Sequence, residues 1–208
     1  GFFSSYEDVA SSPVQFGQVS RPGDIKYKDL NHDGVIDSND QAPIGYNPVP
    51  EMTFSLAAGL NWKGIDFSIL LQGAARSSIY LQQDIAWDNF WGNYYEEHIG
   101  RWTPETAATA TYPRFTKAAT AAHPNYYKSD YWLKDSKYLR LKNIQLGYTI
   151  PRKLLKKFGV RSLRVYANAY NLFTWDNVKK VDPESSNNSN GQFYPQQKVI
   201  NFGINLNF

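Results

Sequence analysis

The segment that decides the fold reads Val199-Ile-Asn-Phe-Gly-Ile-Asn-Leu-Asn-Phe208. Large apolar side chains stand at every even position, and Asn or Gly stands at every odd position after Val199. Because successive side chains of a β-strand point to opposite faces of a sheet, this alternation predicts a strand with one apolar face and one polar face. Its length matches the roughly 9–11 residues of a tilted strand that crosses the hydrocarbon layer of a membrane.

Four earlier segments alternate in the same way, although less strictly. They are residues 52–62, 65–73, 138–150 and 161–173. In the last segment, for example, Leu163 and Val165 alternate with Arg164 and Tyr166. Together with the terminal segment, they predict an all-β fold class with about five antiparallel strands.

The predicted connections between these strands alternate in length. Residues 62–65 form a tight hairpin turn and residues 151–160 a short basic turn, whereas residues 74–137 and 174–198 form long loops. Short turns at one end and long loops at the other are typical of bacterial outer-membrane barrels, whose short turns face the periplasm. We therefore expect a protein of the outer membrane of a Gram-negative bacterium, with its C-terminus at Phe208 on the periplasmic side.

This polarity divides the chain into two predicted regions. Residues 1–51 form an extracellular loop, and residues 52–208 hold the C-terminal barrel strands together with the extracellular loops 74–137 and 174–198. About five strands cannot close such a barrel, and an open sheet edge is not viable in lipid, so further strands are expected from sequence outside this chain. A start at Gly1, without Met or a signal-peptide pattern, likewise predicts a fragment or a processed piece.

A soluble protein is the alternative, because an antiparallel sheet with one face in water also alternates apolar and polar residues. In that case the chain would be a soluble extracellular glycan-binding β-module stabilised by calcium. The two interpretations differ in what covers Phe202, Ile204 and Phe208. An importer exposes these side chains to lipid, whereas a soluble module buries them against a second sheet.

Composition excludes several classes of protein. The formal net charge is +3, and the Lys and Arg residues form no basic stripe, so nucleic acid is not an expected partner. The absence of Cys excludes disulfides and thiolate chemistry. The sequence shows no nucleophile elbow, zinc motif or phosphate loop, and His32, His98 and His123 lie far apart. No enzymatic activity and no catalytic residue is therefore predicted.

A metal site is predicted between residues 29 and 40. Oxygen-bearing side chains stand at the first, third and fifth positions of a calcium-type loop, and Gly34 follows at the sixth position for the sharp bend. The predicted ligands are Asp29, Asn31, Asp33, the backbone carbonyl of Val35, Asp37 and Asp40. Calcium is favoured over magnesium because many flexible oxygen atoms converge, and its expected role is structural. An Asx-rich turn exposed to solvent is the simpler alternative.

Aromatic residues are concentrated in the loop that follows the second strand. Those assigned to substrate binding are Trp87, Trp91, Tyr94 and Tyr95. Exposed aromatic rings stack on sugar rings or on peptide side chains. The alternative is that these rings pack inside the loop or lie at the membrane interface.

Several motifs, taken in order, resemble the SusC/RagA group of TonB-linked outer-membrane proteins. They are residues 22–37 (PGDIKYKDLNHDGVID), 44–48 (IGYNP), 138–148 (YLRLKNIQLGY), 163–166 (LRVY) and 171–173 (NLF), followed by the alternating strand that ends at Phe208. The resemblance covers nearly the whole chain from about residue 20 onward.

The resemblance implies that the chain supplies about the last five strands of a large, roughly 22-stranded transmembrane β-barrel. Members of this group are TonB-dependent transporters that import oligosaccharides or peptides. They work with a SusD-like surface lipoprotein and take energy from TonB through an N-terminal part that this chain lacks. The expected partners are therefore that lipoprotein, TonB, outer-membrane lipid and the imported oligosaccharide or peptide.

Overall fold

The computed structural model describes residues 1–90, 92–117, 122–178, 181–185 and 196–208. The strands are β1 (Val14–Gln15), β2 (Val35–Ile36), β3 (Met52–Trp62), β4 (Ile65–Ala75), β5 (Ser78–Tyr80), β6 (Leu133–Asp135), β7 (Tyr138–Thr149), β8 (Ser162–Tyr170), β9 (Thr174–Asp176) and β10 (Val199–Asn207). The α-helices are α1 (Tyr6–Ala10) and α2 (Arg152–Leu155), and 3₁₀ turns cover Gln83–Ile85, Glu96–Gly100, Pro124–Tyr126 and Lys156–Phe158. No helix among the described residues is long and apolar enough to cross a membrane.

The main sheet confirms the predicted all-β, antiparallel class. Its strands lie in the order β10-β8-β7-β4-β3, and all neighbours are antiparallel. Each of the five segments predicted as strands forms one of these five, with ends that differ by up to three residues. These five strands follow one another across the sheet in the same order as along the chain, so they form a meander, and the short strand β9 pairs with β7 off this path.

The register aligns most of the large apolar side chains on one face of this sheet. Because residues directly opposite each other in adjacent strands project to the same face, the pairing can be followed across the sheet. One row runs through Leu60, Phe67, Leu146, Ala167 and Phe202, and the next runs through Trp62, Ile65, Tyr148, Val165 and Ile204. The other face carries rows such as Gly59, Ser68, Gln145, Asn168 and Asn201.

A β-bulge at Lys142 interrupts this regular pairing. Leu70 pairs with Asn143 but Leu71 pairs with Leu141, so Lys142 has no partner on β4. On the other side of β7, the amide of Asn171 donates to the Lys142 carbonyl at 3.1 Å, and Asn171 has a left-handed φ of 51°. The segment predicted as one strand over 161–173 therefore ends at Tyr170, and pairing with β7 resumes in β9 inside the predicted loop 174–198.

The two short turns have the predicted form. Lys63 and Gly64 have φ values of 48° and 88°, which is the left-handed pair that a type I′ hairpin turn requires. The basic segment after β7 contains α2 and the 3₁₀ turn Lys156–Phe158, and it ends at Gly159 with a φ of 68°. Glycine adopts this left-handed conformation without the steric cost of a Cβ atom, which explains why the helical turn stops there.

The described residues of segments 1–45 and 80–133 form a second compact unit. Its centre holds a buried polar cluster, in which the Asp24 carboxylate accepts a hydrogen bond from the Asn125 amide at 3.0 Å and pairs with the Arg114 guanidinium at 2.7 Å. Asn125 also accepts from the backbone amide of Ile25 at 2.9 Å. These contacts join positions about a hundred residues apart, so segment 1–45 is an integral part of this unit.

Candidate functional site

The apolar face of the main sheet is exposed along its whole width. Phe202 is 82% exposed and Ile204 70%, and their row neighbours Leu60 and Leu146 are also exposed. Soluble monomers rarely expose contiguous apolar patches of more than a few hundred Å², so a face of this kind marks a surface that another apolar phase covers.

Aromatic residues stand at both ends of this face. Trp62 and Tyr148 lie beside the short turns, and Phe54 and Trp175 lie at the opposite end. The ring of Trp175 stacks on that of Phe173 with centroids 6.2 Å apart. From Phe54 to Trp62 the chain advances about 26 Å along the strand, or about 20 Å along the membrane normal at a tilt of about 40°. This separation is close to the apolar band of about 25 Å that aromatic girdles flank in transmembrane barrels.

On the polar face, an ion pair crosses β7 above a glycine. Arg164 of β8 donates to Asp66 of β4 through Nε at 2.8 Å and through Nη2 at 2.5 Å. Gly147 of β7 lies between them, and a Cβ atom there would be 2.5 Å from both the Arg164 Nη2 and the Asp66 Oδ1. The absence of a side chain at Gly147 therefore allows the two charged groups to meet across an intervening strand.

A second charge cluster fixes the loop after β9 to the polar face of β7. Arg140 is 2% exposed, and its guanidinium contacts Asp182 at 2.7 Å and Glu184 at 2.5 Å. Glu184 also accepts from the Tyr138 hydroxyl at 2.5 Å and pairs with Lys142 at 3.0 Å. Burial alone would raise the pKa of Asp182, but hydrogen bonds from Arg140 and from the Glu184 amide hold that pKa below its usual value. The cluster thus attaches segment 181–185 to the sheet through ion pairs and hydrogen bonds.

Residues 29–40 form a curled loop in which Asp side chains accept hydrogen bonds from backbone amides of the loop. Asp29 accepts from the amides of His32 at 2.6 Å and Gly34 at 2.9 Å, and Asp40 accepts from the amide of Leu30 at 2.7 Å. His32, between two of the predicted ligands, is exposed. Gly34 has a left-handed φ of 85°, which the sharp bend requires.

Within the ranges that the structure describes, no three His, Cys, Asp or Glu side chains are arranged to hold a metal ion. An ionised carboxylate has about four lone-pair sites, and an amide hydrogen bond uses one of them. The predicted ligands also include the side-chain oxygen of Asn31 and the backbone carbonyl of Val35, beside the carboxylates of Asp33 and Asp37. The donor set is therefore made entirely of the hard oxygen atoms that calcium prefers, although the carboxylates must turn toward a common point.

The aromatic loop divides into buried and exposed members. Trp87 is 4% exposed and packs against Phe90 and Tyr126, with ring centroids 5.6 Å and 4.8 Å away. It therefore follows the packing alternative and presents almost no surface to a substrate. Tyr94 is 56% exposed, and Tyr95 is partly exposed but donates its hydroxyl to the Asp84 carbonyl. Trp91 lies outside the described residues.

Asp88 links several segments of this loop beside Trp87. This carboxylate is fully buried and accepts from the Tyr126 hydroxyl, from the Tyr112 hydroxyl at 3.3 Å and from the Thr116 amide at 3.1 Å. Burial, followed by the charge of Asp88, raises the pKa of Tyr112 far above its usual value, so its hydroxyl stays protonated. The burial of Asp88 could not be predicted, because nothing in its sequence context distinguishes it from the other carboxylates of this loop.

Comparison with known proteins identifies relatives along the whole chain. TonB-dependent receptor P26 of Formosa agariphila is 30% identical over 225 aligned residues, which cover 100% of this chain and 22% of that protein. TonB-dependent receptor SusC of Bacteroides thetaiotaomicron is 26% identical over 195 residues, which cover 93% of this chain and 18% of that protein. The chain thus spans about a fifth of the length of these curated relatives. No protein-family model matches it.

The fold has a counterpart among solved structures. A structure of the RagAB peptide importer in the "open-open" state superposes with a TM-score of 0.64 at 23% identity, covering 84% of this chain and 19% of that one. A structure of the same importer in the "closed-closed" state superposes with a TM-score of 0.62 at 22% identity. These matches show that the sheet and loops described above have the fold of a segment of that importer.

Proposed function

This chain is homologous over its whole length to TonB-dependent receptors of the SusC/RagA group, and from that relationship we propose that it forms part of the wall of an outer-membrane nutrient importer. The single observation that carries the proposal is the exposed apolar face shared by β3, β4, β7, β8 and β10. In a transmembrane barrel this face contacts lipid, and the Asn-rich face lines the interior.

The orientation of the sheet belongs to the same proposal. The short turns, including Lys63–Gly64 and segment 151–160, face the periplasm together with Phe208. The long loops, beginning after β4 and β8, face the cell exterior. This assignment agrees with the general rule for bacterial outer-membrane barrels.

The cargo that we propose is an oligosaccharide or a peptide, delivered with a SusD-like surface lipoprotein and driven by TonB. The name of the RagAB peptide importer supports the peptide class. Of the three described residues predicted to bind substrate, Tyr94 is the most exposed. The proposal assigns no catalytic step to the chain. Both ring nitrogens of His98 are engaged, with the Tyr95 amide at 3.0 Å and the Ala86 carbonyl at 3.2 Å, so this side chain has a structural role in the loop.

Fractionation of cells that express the full-length protein tests the proposal against the soluble glycan-binding alternative. The importer stays in the outer-membrane fraction after a carbonate wash and is released only by detergent. Recovery of the protein in the detergent-free soluble fraction would contradict the proposal. A known periplasmic protein and a known outer-membrane porin from the same cells serve as markers of the two fractions.

We further propose that the loop over residues 29–40 binds one structural calcium ion. The support is the ordered spacing of its oxygen atoms and the bend at Gly34, since ions of this type take 6–8 oxygen ligands at about 2.3–2.6 Å. Equilibrium dialysis of the full-length protein against radioactive calcium measures the number of ions bound. Replacing both Asp29 and Asp33 by Ala should remove one ion per molecule, whereas Asp130→Ala, an exposed aspartate outside the loop, should remove none. Equal stoichiometry in all three proteins would refute the site.

A further inference from the structure

The short-turn end of the main sheet is held together as one surface. The Thr149 amide donates to the Gly64 carbonyl at 2.7 Å, and the Arg161 amide donates to the Asn207 carbonyl at 2.8 Å. These bonds join the β3–β4 hairpin turn, the segment between β7 and β8, and the end of β10. We use the name basic turn for residues 151–161, which are the segment 151–160 described above together with Arg161.

This surface is positively charged. Its cations are Lys63, Arg152, Lys153, Lys156, Lys157 and Arg161. The sequence contains no acidic residue between Asp135 and Asp176, and Asp66, near this end of β4, is already paired with Arg164. Within the described part of the chain, none of the six cations lies within 4.0 Å of a carboxylate. The positive charge is therefore not neutralised by the sheet itself.

The basic turn also exposes two large apolar side chains. Leu154 is 65% exposed and Phe158 is 76% exposed, whereas Leu155 between them is buried and anchors the turn. Leu154 lies in α2 and Phe158 in the 3₁₀ turn that follows it, so both ends of this short helical segment present an apolar side chain to the surroundings. Trp62 and Tyr148 lie at the same end of the sheet, and the Lys63 ammonium lies 4.8 Å from the Trp62 ring.

We propose that the basic turn binds the headgroups of anionic phospholipids in the leaflet that the short turns face, with Leu154 and Phe158 among the acyl chains. The surface is continuous with the membrane-facing side of the sheet, so lipid is the phase that already adjoins it. Lysine and arginine side chains reach from an apolar surface to headgroups, and their charges are complementary to a headgroup with net negative charge. A zwitterionic headgroup carries its own ammonium and offers no such complement.

Native mass spectrometry of the full-length transporter in neutral detergent tests the proposal, which rests on the importer function argued above. The protein is titrated with dioleoyl phosphatidylglycerol and, separately, with dioleoyl phosphatidylethanolamine. The test variant carries Lys153→Gln and Lys157→Gln. The matched control carries Lys117→Gln and Lys128→Gln, which remove the same charge from exposed positions elsewhere in the chain.

We expect the wild-type protein and the control to bind phosphatidylglycerol more tightly than phosphatidylethanolamine. In the test variant the apparent Kd for phosphatidylglycerol should rise about fivefold for each lysine replaced, with the Kd for phosphatidylethanolamine unchanged. Equal affinity of the wild-type protein for both lipids, or an unchanged Kd in the test variant, would overturn the proposal. Capture of a periplasmic protein by wild type and not by the variant, with lipid affinity unchanged, would overturn it in favour of a protein partner.

The heat-dependent mobility of the folded barrel in gel electrophoresis confirms that each variant is assembled. A protein that is assembled in the membrane but shows no lipid preference contradicts only this inference. A protein that is absent from the membrane contradicts the importer function itself.

Discussion

Replacing Phe202 by Arg places a charge near the middle of the apolar face. Phe202 is the fourth of the nine residues of β10, and its partner Ala167 is too small to shield it. An Arg near the midplane of the lipid-facing side of a barrel costs about 2–4 kcal/mol, which corresponds to a change of roughly 30- to 700-fold in the unfolding equilibrium constant. Leu206→Arg, nearer the end of the same strand, should cost only about 0–1 kcal/mol because the cost falls toward the interface.

Urea unfolding of the full-length protein in phospholipid vesicles, followed by tryptophan fluorescence, measures these differences. Asn201→Arg is the matched control, since Asn201 is the neighbour of Phe202 on the polar face, where it is exposed and donates to Asn168 at 3.0 Å. The control should change the free energy of unfolding by less than about 1 kcal/mol. A Phe202→Arg variant as stable as the control would refute the membrane-facing assignment. Equal costs at Phe202 and Leu206 would instead indicate burial against another protein layer.

Three further predictions concern the polar face. Gly147→Ala should destabilise the barrel by about 1–3 kcal/mol in the same urea assay, because the added Cβ atom forces Arg164 away from Asp66. The control Gly59→Ala should be neutral, because its Cβ atom would meet nothing closer than 3.6 Å. Equal effects of the two substitutions would contradict the crossing ion pair. Arg140→Gln should lower the free energy of unfolding by about 3 kcal/mol and speed hydrogen exchange in segment 181–185, because it removes the cation that pairs with the Asp182 carboxylate. The exposed ion pair of Arg76 with Glu51 should contribute less than about 1 kcal/mol. Unchanged exchange in segment 181–185 would refute its attachment to the sheet by Arg140. Because the folded-state pKa of Asp182 is lowered, the stability that its ionised carboxylate contributes is fully present above its unfolded pKa of 3.8 and is lost as the pH falls toward the lower folded value. Hydrogen exchange in segment 181–185 should therefore rise only at such acidic pH. A rise near neutral pH would contradict this account.

The strands of the main sheet could be predicted because their signal is local. Alternation in the segment from Val199 to Phe208 depends only on neighbouring residues, and a transmembrane sheet imposes it on every strand. The break between β8 and β9 could not be predicted in this way. It accompanies the bulge in β7, where Lys142 has no partner on β4. The Lys142 carbonyl accepts a hydrogen bond from the amide of Asn171, which lies about thirty positions away in sequence.

The charged and aromatic clusters were harder to predict because they join distant positions. Arg140 meets Asp182 and Glu184 only after the chain has passed through β8 and β9. The burial of Trp87 depends on contacts with Tyr126, which lies in the turn Pro124–Tyr126, far along the chain from Trp87. Composition identified a loop rich in aromatic residues, but only the fold separates the packed rings from exposed ones such as Tyr94.

The most direct test of the membrane-facing sheet is a scan of β10 with nitroxide spin labels. Single Cys residues replace positions 200 to 207 in the full-length protein reconstituted in phospholipid vesicles; this chain itself contains no Cys. Electron paramagnetic resonance then compares the accessibility of each label to oxygen, which concentrates in lipid, and to a water-soluble nickel complex. The account predicts a period of two, with high oxygen accessibility at the even positions, including Phe202 and Ile204. Loss of this period, or nickel accessibility at the even positions, would contradict it.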